Sequence, residues 1–547
     1  MNESALVAGV WIAAASMVLT ATATAGGGRL YNGIVLPKEW PPRVGKLSRE
    51  PMAVPYLKDP PKVIPIDGGR QLFVDDFLIE ATTLKRTFHR PTVHRSNPVV
   101  TYDKAWEKAG RAPFAAVFSD GVWYDPAEKR FKMWYVGGYL KTTCLATSKD
   151  GVRWVKPPLD VEEGTNVTMR HFRDSSTVWL DHAERDPRRR YKMFTTMSKG
   201  GWRLALHASR DGIHWTKDPL AVSPVVGDRT TVFYNPFRRV WVWSLRINAS
   251  GVGRARAYRE HADPVAGMTW DKSEPVPWLC ADKLDPRHPK FPKVAPQLYN
   301  FDAVAYESLL LGLFSIHQGP SNRECSRRKI QKRNEVLLGF SRDGFHFARP
   351  DRRPFLSVTE KDGDWNWGNV QSAGGGCLVV GDKLYFYLSG RFRSEAFWDG
   401  RGSTGLAVLR RDGFASMDAA DSPGVLTTRP VRFRGRHLFV NLDAPGGELR
   451  AEVLDEAGKA IPPFTRGRCV PVRGDSTCQA VRWKPAADLG KLAGKAVRLR
   501  FHLRKGRLYA FWVSPEASGA SLGYVAAGGP GFTGPTDTVG AKAGAAP

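Results

Sequence analysis

The sequence predicts an all-β protein, a five-bladed β-propeller followed by a C-terminal β-sandwich. Three observations carry this. First, a seven-residue phrase recurs: S-K-D-G-V-R-W from Ser148, S-R-D-G-I-H-W from Ser209 and S-R-D-G-F-H-F from Ser341. A degraded copy, R-R-D-G-F-A-S, starts at Arg410. Asp-Gly between β-type runs is a strong hairpin signal, because a type I′ turn needs positive φ at both central residues. Second, the copies follow one period of roughly 65 residues, with about two periods between Ser209 and Ser341, so each repeat is one supersecondary unit. Third, 54 Gly, 39 Pro, 18 Trp, 15 Tyr and 27 Phe among 547 residues describe a turn-rich, aromatic chain, and its long stretches lack helical periodicity.

Aligning on the phrase gives five units within a propeller over residues 67–426. The first reads P-F-A-A-V-F-S-D-G-V-W-Y-D, then R-F-K-M-W-Y-V-G-G; the second opens R-D-S-S-T-V-W-L-D at Arg173. The third opens at Gly227, and its eroded hairpin is expected near Met268-Thr269-Trp270. The fourth opens N-F-D-A-V-A-Y-E at Asn300, the fifth W-G-N-V-Q-S-A-G-G-G at Trp367. Each second strand is nearly all apolar or aromatic, as befits a strand sandwiched between neighbours. Residues 427–517 alternate in short runs between Gly and Pro turns and predict the sandwich. Residues 26–66 are Pro-rich and read as an extended linker, and 518–547, rich in Gly, Ala, Pro and Thr, as a disordered tail.

Residues 1–25 carry an apolar run, Leu6 to Leu19, then Ala21-Thr22-Ala23-Thr24-Ala25. They read as a signal peptide, or an uncleaved N-terminal anchor, so a secreted or periplasmic location is expected. Export permits disulfides, and Cys469 with Cys478 is the expected pair. The spacing of the six Cys resembles no zinc site, and no cofactor or metal is expected. The net charge of +27 is spread singly, densest at Arg188-Arg189-Arg190 and Arg327-Arg328-Lys329. It reads first as a solvated surface and second as attraction to an acidic polysaccharide. No nucleic-acid motif occurs, and no later segment is long and apolar enough for a membrane helix.

In a propeller the starts of the innermost strands line a funnel. Acids recur there: Asp174, Asp228 and Asp302 open the second, third and fourth units. Glu107, before the first unit, and Asp76, in the L-F-V-D-D run, are further candidates. Arg173 and Arg229 adjoin two of the acids, where an adjacent guanidinium is expected to keep each carboxylate ionised. Trp106, Trp367, Asn369 and Gln371 are candidate substrate-binding residues on the same rim. Converging carboxylates are what glycoside hydrolysis needs, one to protonate the leaving oxygen and one as base or nucleophile. Asp150, Asp211, Asp343 and Asp412, within the repeated phrase, read as turn residues that cap local amides.

The segment H-F-R-D-S-S-T-V-W, His171 to Trp179, resembles the Arg-Asp motif that opens the second blade in glycoside hydrolase family 32, related to family 43. From residue 70 to 515 the chain also resembles secreted planctomycete-type hydrolases of the family 32 kind. The shared runs are L-F-V-D-D, N-E-V-L-L-G-F-S-R-D-G-F-H and W-N-W-G-N-V-Q-S-A-G-G-G. The resemblance implies a hydrolase in which Asp174 stabilises the transition state with Arg173 as companion. Asp228 or Asp302 would then be the general acid, and Asp76 or Glu107 the base or nucleophile. Two departures stand out. The first unit opens Ala112-Pro113-Phe114 without the family's acid, and Gly227-Asp228-Arg229 stands where the family has Glu-Cys. The expected function is therefore a secreted glycoside hydrolase acting on a carbohydrate, with anionic polysaccharide among the candidates. The alternative is a non-catalytic carbohydrate- or protein-binding propeller.

Overall fold

The computed structural model describes residues 27–198, 200–486 and 488–544; the expected signal or anchor segment, 1–25, lies outside them. Five antiparallel blades surround a common axis. The first blade runs outward from Ala115–Ala116 and Val122–Asp125 through Arg130–Gly137 and Thr142–Ser148 to Val167–Arg170. The second comprises Arg173–Leu180, Tyr191–Ser198, Trp202–Ser209 and Ala221–Val225. The third comprises Thr231–Asn235, Val240–Ala249, Gly253–His261 and Val276–Cys280. In the fourth, Gln297–Glu307, Leu309–Gly319 and Arg333–Ser341 are long strands. The fifth begins with Gln371–Ser372 and Leu378–Val380 and continues through Lys383–Phe392 and Arg401–Arg410. Its outer edge is Thr92–Val93, so an early segment closes the ring.

The apolar second strands are the reason the blades stack. Phe131, Met133, Trp134, Tyr135 and Val136 are all buried. Aromatic rings bridge neighbouring blades: Trp123 meets Trp179 at 4.7 Å, Trp134 meets Tyr191 at 5.4 Å and Trp278 meets Phe301 at 5.1 Å. Each such pair adds about 0.5–1.5 kcal/mol beyond its area burial.

The repeated phrase joins the third and fourth strands of a blade. Its Ser hydroxyl accepts from the Gly amide (Ser148 from Gly151, Ser209 from Gly212, Ser341 from Gly344, each 2.9 Å), and its Asp accepts from the two following amides. Each turn is also clasped by the preceding blade of the ring. Trp134 Nε1 donates to Gly212 O at 2.7 Å, Tyr387 Oη to Gly151 O at 2.5 Å and Trp278 Nε1 to Phe345 O at 2.7 Å. Gly212 sits at φ +77° with an added Cβ 2.4 Å from the Trp134 ring. Gly212→Ala is therefore expected to cost about 1–3 kcal/mol through overpacking and left-handed backbone strain. A lowered urea midpoint checks this, and an unchanged one contradicts it.

The third unit's hairpin lies earlier than expected. Asp263 accepts from Val265 and Ala266 at 2.8 Å each, so the turn is His261-Ala262-Asp263-Pro264 and not Met268-Thr269-Trp270. The fourth phrase also departs from its expected role. Asp412 is fully buried at φ +61° and binds Arg70 Nη1 at 2.8 Å, at the point where the chain leaves the propeller.

The sandwich expected over 427–517 is part of one nine-stranded sheet, and its boundaries are wider. Its order is Ile79–Thr82, Gly424–Thr428, Arg498–Arg504, His437–Leu454, Gly506–Ser514, Ala415–Ala419, Lys85–Phe88, with Gln71–Leu72 and Val472–Ala480 paired at its sides. The first half of His437–Leu454 pairs with Gly506–Ser514 and its second half with Arg498–Arg504, which folds the sheet over its own core. Residues 64–88 thus belong to this unit and not to the propeller. The 26–66 segment is not a bare linker, because Leu30, Ile34, Leu36, Tyr56, Ile64 and Ile66 are buried in the same core. All six cysteines are free. Cys469 Sγ instead accepts from the Ala451 amide at 3.2 Å, and Cys478 abuts Gly519.

Residues 518–544 are likewise ordered and not a loose tail. Tyr524–Val525 pairs with Tyr306–Glu307, Ala527 exchanges backbone bonds with Tyr124 and Cys377, and Val379 N donates to Gly528 O at 2.9 Å. The segment thereby caps the end of the channel where the innermost strands finish, touching the first, fourth and fifth blades. Its small residues are required by these close approaches: a Cβ on Gly529 would come 1.7 Å from Val379 O.

Candidate active site at the funnel mouth

Because each blade begins at the axis, the starts of the five innermost strands meet at the uncapped end. Side chains there bond across blades. Ser175 Oγ donates to Asp228 O and Thr230 O at 3.1 Å, Thr231 Oγ1 to Phe301 O and Ser372 Oγ to Asp302 at 2.5 Å, and Ser119 Oγ to Asp302 at 3.2 Å. The register alignment of Asp174, Asp228 and Asp302 therefore becomes spatial proximity.

The three acids differ in access. Asp174 has 14% of its side chain exposed and Asp228 26%, so both face the mouth. Asp302 is buried beneath them and also accepts from Asn300 Nδ2 at 2.8 Å. Burial pushes Asp302 up to about 6, opposed by Ser372, Arg229 and its other donors.

Arg229, fully buried, is the hub. It donates to Asp174 Oδ1 at 3.3 Å and to Gln371 Oε1 at 2.6 Å, and Gln371 Nε2 donates to Asn369 Oδ1 at 3.1 Å. One hydrogen-bonded chain thus spans the second, third and fifth blades. Asp174 was expected to be held ionised by an adjacent Arg, but its carboxyl is raised. Burial is the largest cause, and the charge of Asp228 adds to it against Arg229. The Arg173 guanidinium pairs with a different acid, Asp120, at 2.6 Å, and its Nε donates to the Asp174 backbone oxygen at 2.9 Å.

Asp120 is the first unit's acid, which reading the unit's opening at Ala112-Pro113-Phe114 missed. The innermost strand breaks at Phe118 (φ +48°) and Ser119 (φ +100°), and this kink turns Asp120 into the channel. Fully buried, Asp120 is pushed up to about 6 by desolvation despite Arg173 and Arg229. The only sequence signal was Ser119-Asp120-Gly121, which reads as an ordinary turn.

Two expected acids are elsewhere. Asp76 is 72% exposed on the sheet unit and pairs with Arg86; its neighbour Asp75 is the buried one, bound to Arg342 at 2.9 Å. The L-F-V-D-D run belongs to the sheet's edge, not a blade. Glu107 is fully buried, accepting from Tyr135 Oη at 2.6 Å, Lys156 Nζ at 2.8 Å and the Asp103 and Lys104 amides. These bonds lock the first blade and keep the carboxylate out of solvent. Trp106 serves the same structure, donating to Asn166 Oδ1 at 3.0 Å. Trp367 is half-buried with Arg393 6.0 Å from its ring.

The rest of the mouth comes from loops and outer strands. Phe172, 54% exposed, stacks on Trp202 at 5.9 Å beside Asp174. Arg246 and Arg254 approach Asp228 at 3.5 and 4.0 Å. The Tyr299 ring has Arg254 at 4.8 Å, Lys332 at 4.9 Å and Arg229 at 5.8 Å. Asp399 pairs with Lys332 and Arg391, each at 3.4 Å. A separate cavity of about 200 Å³, lined by Trp123, Trp179, Tyr234 and Tyr524, lies at the capped end, away from these acids. Among the described residues there is no cluster of three or more side chains suited to a metal, and no helix long and apolar enough to cross a membrane.

No protein-family model matches the chain, and no curated protein does. Similar solved structures are glycoside hydrolases. A thermostable family-43 glycoside hydrolase is 12% identical, covering 56% of this chain and 93% of its own, with a TM-score of 0.37. A family 43 arabinoxylan arabinofuranohydrolase from Bacillus subtilis, in complex with cellotetraose, is 10% identical, covering 79% and 99%, at 0.35. An exo-β-1,3-galactanase from Phanerochaete chrysosporium, with β-1,3-galactotriose, is 11% identical, covering 75% and 99%, at 0.34. Similarity this low bears on neither chemistry nor substrate, which rest on the chain's own residues.

Proposed function

We propose that the protein is a glycoside hydrolase acting at this mouth, with Asp174 as proton donor and Asp228 as the second carboxylate. The observation that carries the reading is the pair itself. Two partly exposed carboxylates open adjacent innermost strands, and the more buried one is raised by burial and by its partner's charge. A carboxyl whose hold on its proton is strengthened, set beside a second carboxyl group, is the pairing that glycosidic cleavage requires. The Phe172 and Trp202 stack supplies an aromatic face beside the pair, against which the apolar face of a sugar ring packs.

A second reading, a non-catalytic carbohydrate-binding propeller, is favoured by one observation. Asp120 and Asp302, the other two acids in the channel, are buried and engaged by Arg173, Ser372, Asn300 and Ser119. A glycan-panel hydrolysis assay on the wild type and Asp174→Asn separates the readings. The hydrolase reading expects turnover of at least one glycan and its loss in the variant. Binding by calorimetry without turnover of any glycan supports the second reading and removes the first.

A further inference from the structure

The blade-three side of the mouth carries more cationic charge than its own carboxylates answer. Arg246 and Arg254 lie on paired strands, opposite Arg256 and Asn248 respectively, and converge on the single carboxylate of Asp228. Neither closes a hydrogen bond with it: Arg246 Nε, Arg254 Nη1 and Asp228 Oδ1 are buried atoms without a hydrogen-bond partner. Fully buried Arg256 donates to Arg229 O and Tyr299 O at 2.5 Å each. It therefore adds a third cation behind the pair with no carboxylate in hydrogen-bond contact.

The crowding leaves its mark. Arg246 is lowered by burial and by Arg254, and Arg256 is lowered to about 9 by burial and by Arg229. Guanidinium groups this close in a partly desolvated site favour any anion that enters. The side chains are also held in place. A Cβ on Gly227 would come 2.3 Å from Arg246 Cδ, so Arg246 occupies the space a side chain there would take, and Arg254 lies over the Tyr299 ring at 4.8 Å. Both keep 19% of their side chains exposed toward the mouth.

We propose that Arg246 and Arg254 form an anion-accepting subsite, so that the saccharide handled at Asp174 and Asp228 carries a carboxylate or a sulfate ester. The inference rests on the carbohydrate reading of the mouth. The arginines stand beside Asp228, so they also offset the repulsion that this carboxylate would otherwise exert on an anionic sugar.

The test measures calorimetric affinity for two matched pairs. One is an oligogalacturonate and its methyl ester, the other a sulfated galactan oligosaccharide and its desulfated form. Wild-type protein is expected to prefer one anionic member over its neutral partner by about 10- to 100-fold, the worth of one or two charge-assisted hydrogen bonds. Which pair shows the preference tells a carboxylate from a sulfate. The preference collapses in Arg246→Gln/Arg254→Gln and is partly kept in Arg246→Lys/Arg254→Lys, with thermal melting to check that each variant folds. On wild-type protein alone, raising salt to about 1 M, where the screening length falls to about 3 Å, weakens only the anionic member. Equal affinity for both members of each pair overturns the inference and leaves the carbohydrate reading standing. Binding of no member by the wild type also overturns the inference, and the glycan panel decides the carbohydrate reading separately.

Discussion

Replacing Arg411 by Met is expected to lower stability by about 3–5 kcal/mol at neutral pH, the usual cost of breaking a buried ion pair from one side. Arg411 binds Glu307 at 3.1 Å and Asp537 at 2.8 Å, and all three are buried. Beside it, Arg70 binds Asp412 at 2.8 Å and lies 4.1 Å above the Trp512 ring, while Tyr306 and Asn441 also donate to Asp412. The cluster joins the early segment, the fourth blade, the exit from the fifth, the nine-stranded sheet and the capping segment. Its loss removes a cation on which two units and the cap converge.

The pH dependence distinguishes charge from packing. Burial alone raises Asp412 and Asp537, yet Arg70 and Arg411 hold both below the ordinary carboxylate value. A depressed folded pKa gives stability that is present above the unfolded value, about 3.9 for Asp. That stability is lost as pH falls through the folded value, so wild-type protein weakens in acid. In Arg411→Met the balance reverses for Asp537, and Glu307, which burial already holds above its ordinary value, rises further, because burial now acts without the Arg411 counterion. The variant's deficit is therefore expected to shrink as pH falls from 7 toward about 5, where protonation removes the buried charge. Urea midpoints by tryptophan fluorescence at several pH values measure it. A deficit that stays constant with pH assigns the loss to packing and contradicts the charge account.

The parts of this molecule that were legible in sequence are those with a local cause. The D-G turns count blades because their hydrogen bonds are internal to seven residues, and the run Phe131-Lys132-Met133-Trp134-Tyr135-Val136 announces a buried strand by composition alone. Asp174, Asp228 and Asp302 were legible because blade register converts sequence phase into position. What was hidden depended on partners far along the chain. Asp120 enters the channel only because the strand kinks at Phe118 and Ser119. Tyr299, Lys332 and Asp399 meet across two blades, and nothing near Asp412 foretells Arg70. The capping segment was obscured for a related reason: Gly and Ala that signal disorder in isolation are also what a chain needs to run against other backbones, as Gly529 does against Val379. Arg173 beside Asp174 shows the limit of adjacency, since consecutive strand residues point to opposite faces and the guanidinium serves Asp120.

Asp174→Asn is expected to lower hydrolysis of glycans with sugar leaving groups by about 10²- to 10⁴-fold, the contribution of a positioned general acid. Under the proposed assignment the raised carboxyl of Asp174 is the group that supplies the proton in wild-type protein. Activity then falls as pH rises through that raised value, and the variant loses this alkaline limb. Asparagine keeps the shape and a hydrogen-bonding group but has no acidic proton. A glycoside whose leaving group is an acidic nitrophenol departs without protonation, so Asp174→Asn should lose far less on it. Asp228→Asn should be impaired on both substrates, because the second carboxylate acts on the sugar and not on the leaving group. Its residual activity carries a further mark. The charge of Asp228 helps to raise Asp174, so removing it lowers Asp174 and moves the alkaline limb to lower pH. Paired pH–rate profiles on the two substrate types read all of these at once. An Asp174→Asn variant equally impaired on both leaving groups would assign Asp174 to charge stabilisation. In that case the proton donor must be sought at Asp302 or Asp120, the two channel acids that burial also holds near 6.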